Sequence, residues 1–161
     1  MDLKVIKLKF IHFLRYLYLI KLNKFEIEIE ILNKLVKKNS ICFDIGCCHG
    51  SYARILSKYS KRIYAFEPEK ENFNYLKTVL TQKNINIYKL AISNKKISTK
   101  ICIPKFKKKN NTAMSTLIEN IKKNKRKLFK EYTFQKINTV TLDKFSNQKK
   151  INNLDLIKID V

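Results

Sequence analysis

Glycine is scarce in this sequence, with only Gly46 and Gly50 among 161 residues. Globular chains normally contain roughly 7% glycine. Both glycines lie in the stretch CFDIGCCHGSYA, residues 42–53. Because glycine alone lacks a Cβ, it is needed where φ is positive or where another group approaches the backbone closely. We therefore expect a steric requirement in this stretch, set either by an ordinary tight turn or by a ligand lying against the backbone.

Arginine is also scarce, although the formal net charge is +22. Arginine is the side chain suited to bidentate contacts with phosphate and guanine, so its scarcity disfavours a nucleic-acid-binding protein. Lysine, asparagine and isoleucine share A+T-rich codons, which accounts for much of the charge. The alternative function is a non-enzymatic basic module that binds RNA or an anionic surface through residues 105–130 and a helix near the N-terminus. The lysine-rich residues 105–130 are, however, more typical of a solvated loop.

The four cysteines, Cys42, Cys47, Cys48 and Cys102, include no CxxC pair. Without that spacing a zinc finger is excluded, and we predict no metal site. The sequence also has no cleavable signal segment. These features together predict free thiols and a cytoplasmic location.

The N-terminal region lacks an apolar run long enough to cross a bilayer, which takes roughly 20 residues. Residues 5–22 are predicted to be helical, either in peripheral contact with a membrane or packed on the domain or a second subunit. Packing is favoured because the apolar side chains go nearly all round the helix. We also predict a helix over residues 25–38, so residues 1–38 form an N-terminal helical segment.

Strands and helices alternate after Ser40. Apolar runs predict strands at 41–45, 62–66 and 85–92, and helical periodicity predicts helices at 51–60 and 69–84. This alternation is typical of an α/β fold with a parallel sheet. Residues 96–104 and 133–142 are predicted to form an inserted antiparallel hairpin, and residues 154–161 a further buried strand.

A glycine turn follows the first predicted strand, and Glu67 and Pro68 follow the second. Ligands of open α/β sheets bind at the carboxyl ends of the strands, where a carboxylate after the second strand accepts ribose hydroxyls. The turn reads DxGxxxG and lacks the middle glycine through which dinucleotide-binding GxGxxG turns admit a pyrophosphate. The spacing therefore favours a phosphate-free adenosine cofactor such as S-adenosylmethionine over NAD.

Five segments, in this order, give the chain a specific resemblance: FDIGCCHGSYA, YAFEPEKENFNYL, INIYKLAIS, TVTLDKF and LDLIKIDV. On these segments the chain resembles the FkbM-like family of S-adenosylmethionine-dependent methyltransferases over about residues 40–161. The resemblance implies a class I methyltransferase fold, which is a Rossmann-like parallel sheet, here with an inserted β-hairpin. Residues 39–161 are accordingly predicted to be the S-adenosylmethionine-binding domain.

The resemblance also implies the site residues. Glu67 would bind the ribose, Leu90 and Ala91 would border the adenine, and Asp160 would face the methionine end and the acceptor pocket. Asp160 is also the candidate catalytic carboxylate, although no residue has the context to be named as the base. The implied acceptor is a hydroxyl of a sugar, glycan or secondary metabolite. The full cofactor-binding set is Asp44, Gly46, Cys47, Cys48, Gly50, Tyr52, Glu67, Pro68, Leu90, Ala91 and Asp160.

The chain departs from the family pattern in two ways. The family loop usually has Ala-Asn where this chain has Cys47 and Cys48, so a side-chain hydrogen bond from that asparagine is lost. The family also continues after KIDV with Glu-Gly and further strands, so the C-terminal strands of the sheet are missing here. Because natural proteins cover sheet edges, we expect a fragment, an interrupted gene or part of a split assembly. Such a chain would contact a partner at the incomplete edge or be unstable, and would have little activity alone.

Overall fold

The computed structural model describes residues 2–21, 31–32, 34–106, 109–110, 116–117 and 131–161. The described helices and strands follow in chain order: α1 Leu3–Lys21, β1 Ile41–Ile45, α2 Ser51–Leu56, β2 Arg62–Phe66, α3 Lys70–Val79, β3 Ile85–Tyr88, β4 Ala91–Ile92, β5 Ser98–Phe106, β6 Lys109–Asn110, β7 Thr116–Leu117, β8 Tyr132–Val140, α4 Leu142–Gln148 and β9 Leu156–Ile159.

The main sheet contains four parallel strands in the order β3-β2-β1-β9. Its central strands read as apolar runs because both of their faces are buried. On one face Cys42, Ile63 and Ala65 pack with side chains of the helices α1 to α3. On the other face Phe43 and Phe66 belong to a second, aromatic cluster. The predicted α/β class with a parallel sheet is confirmed.

Helix α4 covers the aromatic face of the sheet and was not predicted from the sequence. It begins after Thr141, whose hydroxyl oxygen accepts from the backbone N–H of Lys144. The ring of Phe145 meets the rings of Phe66 and Tyr88 edge-on, with centroids 4.7 Å and 4.9 Å apart. At seven residues this helix is too short to give a clear helical period in the sequence.

The predicted inserted hairpin is confirmed. Strands β5 and β8 are antiparallel, in a register that runs from Ser98 opposite Asn138 to Pro104 opposite Tyr132. Strands β6 and β7 each pair with β5. Apart from residues 105–106, 109–110 and 116–117, the lysine-rich segment 105–130 lies outside the described residues.

The single third strand predicted over residues 85–92 is wrong. Strand β3 ends at Tyr88, and Ala91 and Ile92 form β4, which pairs in parallel with β8 of the second sheet. The reason is the length of the neighbour: β2 ends at Phe66, and the last bond between these strands runs from the Glu67 N–H to the Tyr88 carbonyl. Beyond that point the backbone groups of β4 pair with β8 instead.

Helix α1 confirms the predicted N-terminal helix and packs on α3. Of the predicted helix at 25–38, residues 31–32 and 34–35 are helical, residues 36–38 are not, and the remainder lies outside the described residues. No helix in the described ranges is long and apolar enough to traverse a bilayer.

Candidate functional site

Three residues of the turn after β1 adopt the left-handed backbone conformation. Gly46, Cys48 and Gly50 have φ angles of +75°, +45° and +76°. The N–H groups of Gly46 and Cys47 both donate to the carbonyl of Phe66, at 3.0 and 3.1 Å, so the turn is fixed to the end of β2. The Gly50 N–H donates to the Cys47 carbonyl at 2.6 Å. Backbone hydrogen bonds, within the turn and to the end of β2, therefore hold the turn in shape.

Packing against the rest of the chain explains why both glycines are needed. A Cβ on Gly46 would overlap the backbone carbonyl of Asp160, which follows β9. A Cβ on Gly50 would lie 2.7 Å from methyl carbons of Leu76 and Leu80. The chain's own structure thus requires a glycine at each position, as the tight-turn interpretation expects, and a cofactor passing along this backbone stays a prediction.

Glu67 lies at the carboxyl end of β2 and connects the turn to α3. Its Oε2 accepts from the Cys48 N–H and its Oε1 from the Glu69 N–H, both at 2.9 Å. Burial raises the pKa of this carboxyl, and the two backbone donors oppose that rise. A carboxylate oxygen can accept more than one hydrogen bond. The Asn72 side chain is a third hydrogen-bond partner of this carboxylate, which is only 5% exposed. A carboxylate has acceptor capacity beyond these bonds for a ligand hydroxyl.

Asp44 lies at the end of β1, beneath the turn, and is fully buried. Its carboxylate interacts with the backbone N–H of Ala53 in α2 and with the ammonium group of Lys158. Burial raises the pKa of Asp44 to about 6, and these two groups oppose the rise. Asp44 therefore joins the end of β1 to α2 and to β9.

Lys158 is a site residue that the sequence interpretation missed. It lies opposite Asp44 in the register of β1 and β9, with its Nζ 3.8 Å from Asp44 Oδ1 and 3.3 Å from Asp160 Oδ2. The same ammonium lies 4.8 Å from the ring centroid of Tyr52. The sequence did contain a sign of its role, because Lys158 interrupts the apolar strand LIKI and a lysine inside a protein requires a partner.

The remaining predicted residues divide between the turn and the strand ends. Cys47 is buried, and burial holds the pKa of its thiol well above the usual range. The Pro68 carbonyl accepts from Gln135 Nε2 of β8 at 3.0 Å. Leu90 packs against the aromatic cluster, and Ala91 pairs with Thr139 in the second sheet.

The structure therefore brings Asp44, the turn, Glu67 and Asp160 to one end of the main sheet, while Leu90 and Ala91 follow the end of β3. A cavity of about 360 Å³ lies against β9 and reaches Tyr52 and Asp160. Leu32 and Leu35 contribute to its walls, and Glu67 does not. The cavity therefore borders only the Asp160 end of the site.

The sequence profile of the methyltransferase FkbM domain matches residues 44–161. The chain belongs to this family. The match includes the turn after β1, Glu67 and Asp160, so all of the predicted site lies inside the FkbM domain. S-adenosylmethionine is the cofactor that membership of this methyltransferase family implies. No curated protein matches the chain.

Solved structures similar to this FkbM chain are also methyltransferases by description. An rRNA methylase from Streptococcus thermophilus is 21% identical, over 39% of this chain and 40% of its own, with a TM-score of 0.35. SMU.1697c from Streptococcus mutans, solved in complex with SAH, is 25% identical over 39% and 38% of the two chains, with a TM-score of 0.35. The 23S rRNA methyltransferase ErmE is 13% identical over 38% and 26%, with the same TM-score. The chain thus covers about two fifths or less of the length of these structures.

The site of this FkbM chain fits the implied cofactor at its ribose end. Glu67 is held in one position by two backbone donors. The turn has no side chain at Gly46 and Gly50, and the space beside them is filled by the Asp160 carbonyl and by leucine side chains. Asp160, whose side chain is 72% exposed, lies at the other end of the same turn. These residues would hold the two ends of an adenosine-containing group.

Proposed function

We propose that this protein transfers a methyl group from S-adenosylmethionine to a hydroxyl oxygen of a sugar, glycan or other small metabolite. The observation that carries the proposal is the carboxylate of Glu67, buried and fixed beside the glycine turn of an FkbM domain. The hydroxyl acceptor follows from the resemblance of the five sequence segments to the FkbM family. No second function has a comparable observation in its favour.

The residues of the turn act by positioning. Glu67 accepts both ribose hydroxyls and so fixes the cofactor along the ends of β1 and β2. Its two backbone bonds hold the carboxylate in place before a ligand arrives, so little ordering is left to be done on binding. Positioning of this kind accounts for much of the rate of a bimolecular transfer.

The cofactor supplies a methyl group activated by a sulfonium centre. Bound at this site, it would methylate the acceptor oxygen and be left as a neutral thioether, and the hydroxyl proton would leave to a base. Asp160 is the carboxylate that we assign to the acceptor side, where it would accept this proton or orient the hydroxyl.

The first test is the binding of S-adenosylhomocysteine to the Glu67→Gln variant. The amide keeps the shape of the side chain but replaces one acceptor oxygen by a donor, so it meets the Cys48 or Glu69 N–H with the wrong polarity. We expect the affinity to fall at least tenfold, since a hydrogen bond to a charged group contributes about 1.5–3 kcal/mol. Isothermal titration calorimetry with S-adenosylhomocysteine measures the change.

The matched control is Glu71→Gln in the first turn of α3. Glu71 is exposed, and only its backbone N–H takes part in the cap formed by Glu69. This variant removes one negative charge near the site and should bind like the wild type. Absence of binding by well-folded wild-type protein, together with salt-sensitive binding to RNA, would overturn the proposal in favour of the basic-module alternative.

A further inference from the structure

One side of α1 is anchored to the domain. His12 and Tyr16 are buried, and Leu8 packs against the same core as Tyr16. His12 Nδ1 lies 2.8 Å from the hydroxyl of Tyr75 on α3. The spacing of four residues between these positions puts them on one face of the helix. The direction of α1, and hence of its opposite face, is therefore fixed relative to the domain.

The opposite face carries an exposed apolar row, here called the outer stripe, which consists of Leu3, Ile6, Phe10, Leu14 and Leu17. Steps of three and four residues align these side chains along the helix. Leu3 and Phe10 expose 79% and 58% of their surface, and the other three are also exposed. Contiguous exposed apolar side chains of this kind mark an interaction surface.

Basic side chains border the outer stripe on both sides. By helical spacing Lys7 lies beside Leu14, and the exposed Ile11 and Tyr18 separate it from Lys4. On the other side Lys9 lies beyond the exposed Phe13. Arg54 of α2 extends the second border, since its Cζ lies 5.7 Å from the ring centroid of Phe13. An apolar row between basic borders is the pattern of helices that lie in the plane of a bilayer interface.

The positive charge of the chain distinguishes between two possible partners of this surface, a second copy of the chain and an anionic bilayer. A second copy docked through the same stripe would bring two chains of formal charge +22 together, and this like charge opposes their association. An anionic bilayer instead attracts the basic side chains. We propose that α1 docks the protein on anionic lipid surfaces, with the outer stripe in the acyl boundary and Lys4, Lys7 and Lys9 among the headgroups.

This inference goes beyond methyl transfer and does not depend on it. The residues of the outer stripe belong to α1 and lie outside the FkbM match, which begins at residue 44. A protein that binds vesicles but no S-adenosylhomocysteine would support the lipid surface and contradict the proposed function. A protein that binds S-adenosylhomocysteine but no vesicles would support the proposed function and contradict the lipid surface.

The sequence contains no tryptophan, so the fluorescence of a single introduced tryptophan reports on its own position alone. Phe10→Trp in the 161-residue chain places the sole indole on the outer stripe. We expect its emission to shift to shorter wavelength on vesicles of phosphatidylcholine mixed with phosphatidylglycerol, and the protein to sediment with them. Vesicles of phosphatidylcholine alone should give neither effect.

Two further variants test the borders and the position. Replacing Lys4 and Lys7 together by glutamine should weaken binding to the anionic vesicles roughly fivefold for each lysine removed. Phe134→Trp is the matched control, because Phe134 lies on β8 and is 54% exposed, much like Phe10. Its emission should stay unchanged when vesicles are added.

Three results would overturn the inference. The first is an unshifted Phe10→Trp emission with anionic vesicles, in protein whose circular dichroism matches the wild type. The second is equal binding to neutral and anionic vesicles, because the basic borders would then contribute nothing. The third is a stable dimer whose association is lost in Phe10→Ser, which would assign the stripe to a second copy.

Discussion

At the scale of single residues, Asp44 makes stability depend on pH in an unusual direction. Its pKa is 3.8 in the unfolded chain and about 6 in the folded protein, because burial disfavours the charged form. The folded state therefore retains a proton that the unfolded state has lost between these two values. Asp44 contributes fully to stability below pH 3.8, and the contribution is lost as the pH rises through about 6.

The prediction compares the wild type with Asp44→Asn, which cannot ionise. Between pH 3 and 7 the free energy of unfolding of the wild type should fall relative to the variant by on the order of 3 kcal/mol. Chemical denaturation at a series of pH values measures the difference. A difference that grew in the other direction would mean that the folded environment favours the carboxylate.

Lys158 supplies the internal check on this prediction. Its ammonium lowers the pKa of Asp44, so Lys158→Met should raise that pKa further and extend the loss of stability above pH 6. Lys83→Met, at an exposed position, is the control and should leave the profile unchanged. An unaltered profile in Lys158→Met would show that the ammonium does not interact with Asp44 in solution.

At the scale of elements, the two glycines differ in what a methyl group would displace. Both Gly46→Ala and Gly50→Ala require a left-handed residue with a Cβ, which costs about 1–2 kcal/mol. At Gly50 the new carbon meets the ends of two leucine side chains that are buried in the core and must repack. At Gly46 it meets the backbone carbonyl of Asp160, so β9 must move away from β1.

We therefore expect both variants to lower the free energy of unfolding by more than about 2 kcal/mol, and Gly46→Ala to have the larger effect because it displaces backbone rather than side chains. Urea denaturation of both variants measures the two losses. Equal losses would contradict the close approach between the turn and the end of β9.

The elements that the sequence predicted well are those whose pattern is local. The bounds of β1 and β2 agree with the structure because each is a short apolar run buried on both faces. The change of sheet after Tyr88 was missed because it depends on the length of β2, a neighbour in space. Helix α4 was missed because it is short and is stabilised by the rings that it covers.

The residues of the candidate site also divide into those with a local sequence signal and those whose contacts join distant parts of the chain. Glu67 could be found from the sequence, since a carboxylate at the end of the second strand has a position fixed by topology. Lys158 could not be assigned a partner, because its contact with Asp44 depends on the register between β1 and β9. Nor could the need for Gly46 be traced to Asp160, since that contact also joins distant parts of the chain.

At the scale of the whole molecule, the formal charge of +22 predicts a dependence of stability on salt. Charges of one sign repel each other more in the compact state than in the expanded one. The screening length falls from about 30 Å to about 8 Å between 0.01 M and 0.15 M ionic strength. We expect the melting temperature to rise over this range, measured by thermal denaturation in NaCl.

Potassium chloride is the control for this experiment, because screening depends on ionic strength and not on which monovalent cation is present. The two salts should raise the melting temperature equally. A melting temperature that fell with salt would mean that attractive ion pairs, rather than repulsion, dominate the electrostatics of the folded chain.

The geometry of the turn also has a consequence for how this sequence can change over generations. A gene drifting toward A+T-rich codons loses glycine, whose codons begin with two guanines, and gains lysine, asparagine and isoleucine. Such drift can proceed wherever a side chain is tolerated. At Gly46 and Gly50 the backbone of Asp160, the leucine side chains and the left-handed φ angles oppose it. The two glycines that remain therefore occupy positions where a side chain would clash or strain the backbone, so replacements there would be selected against despite the mutational bias.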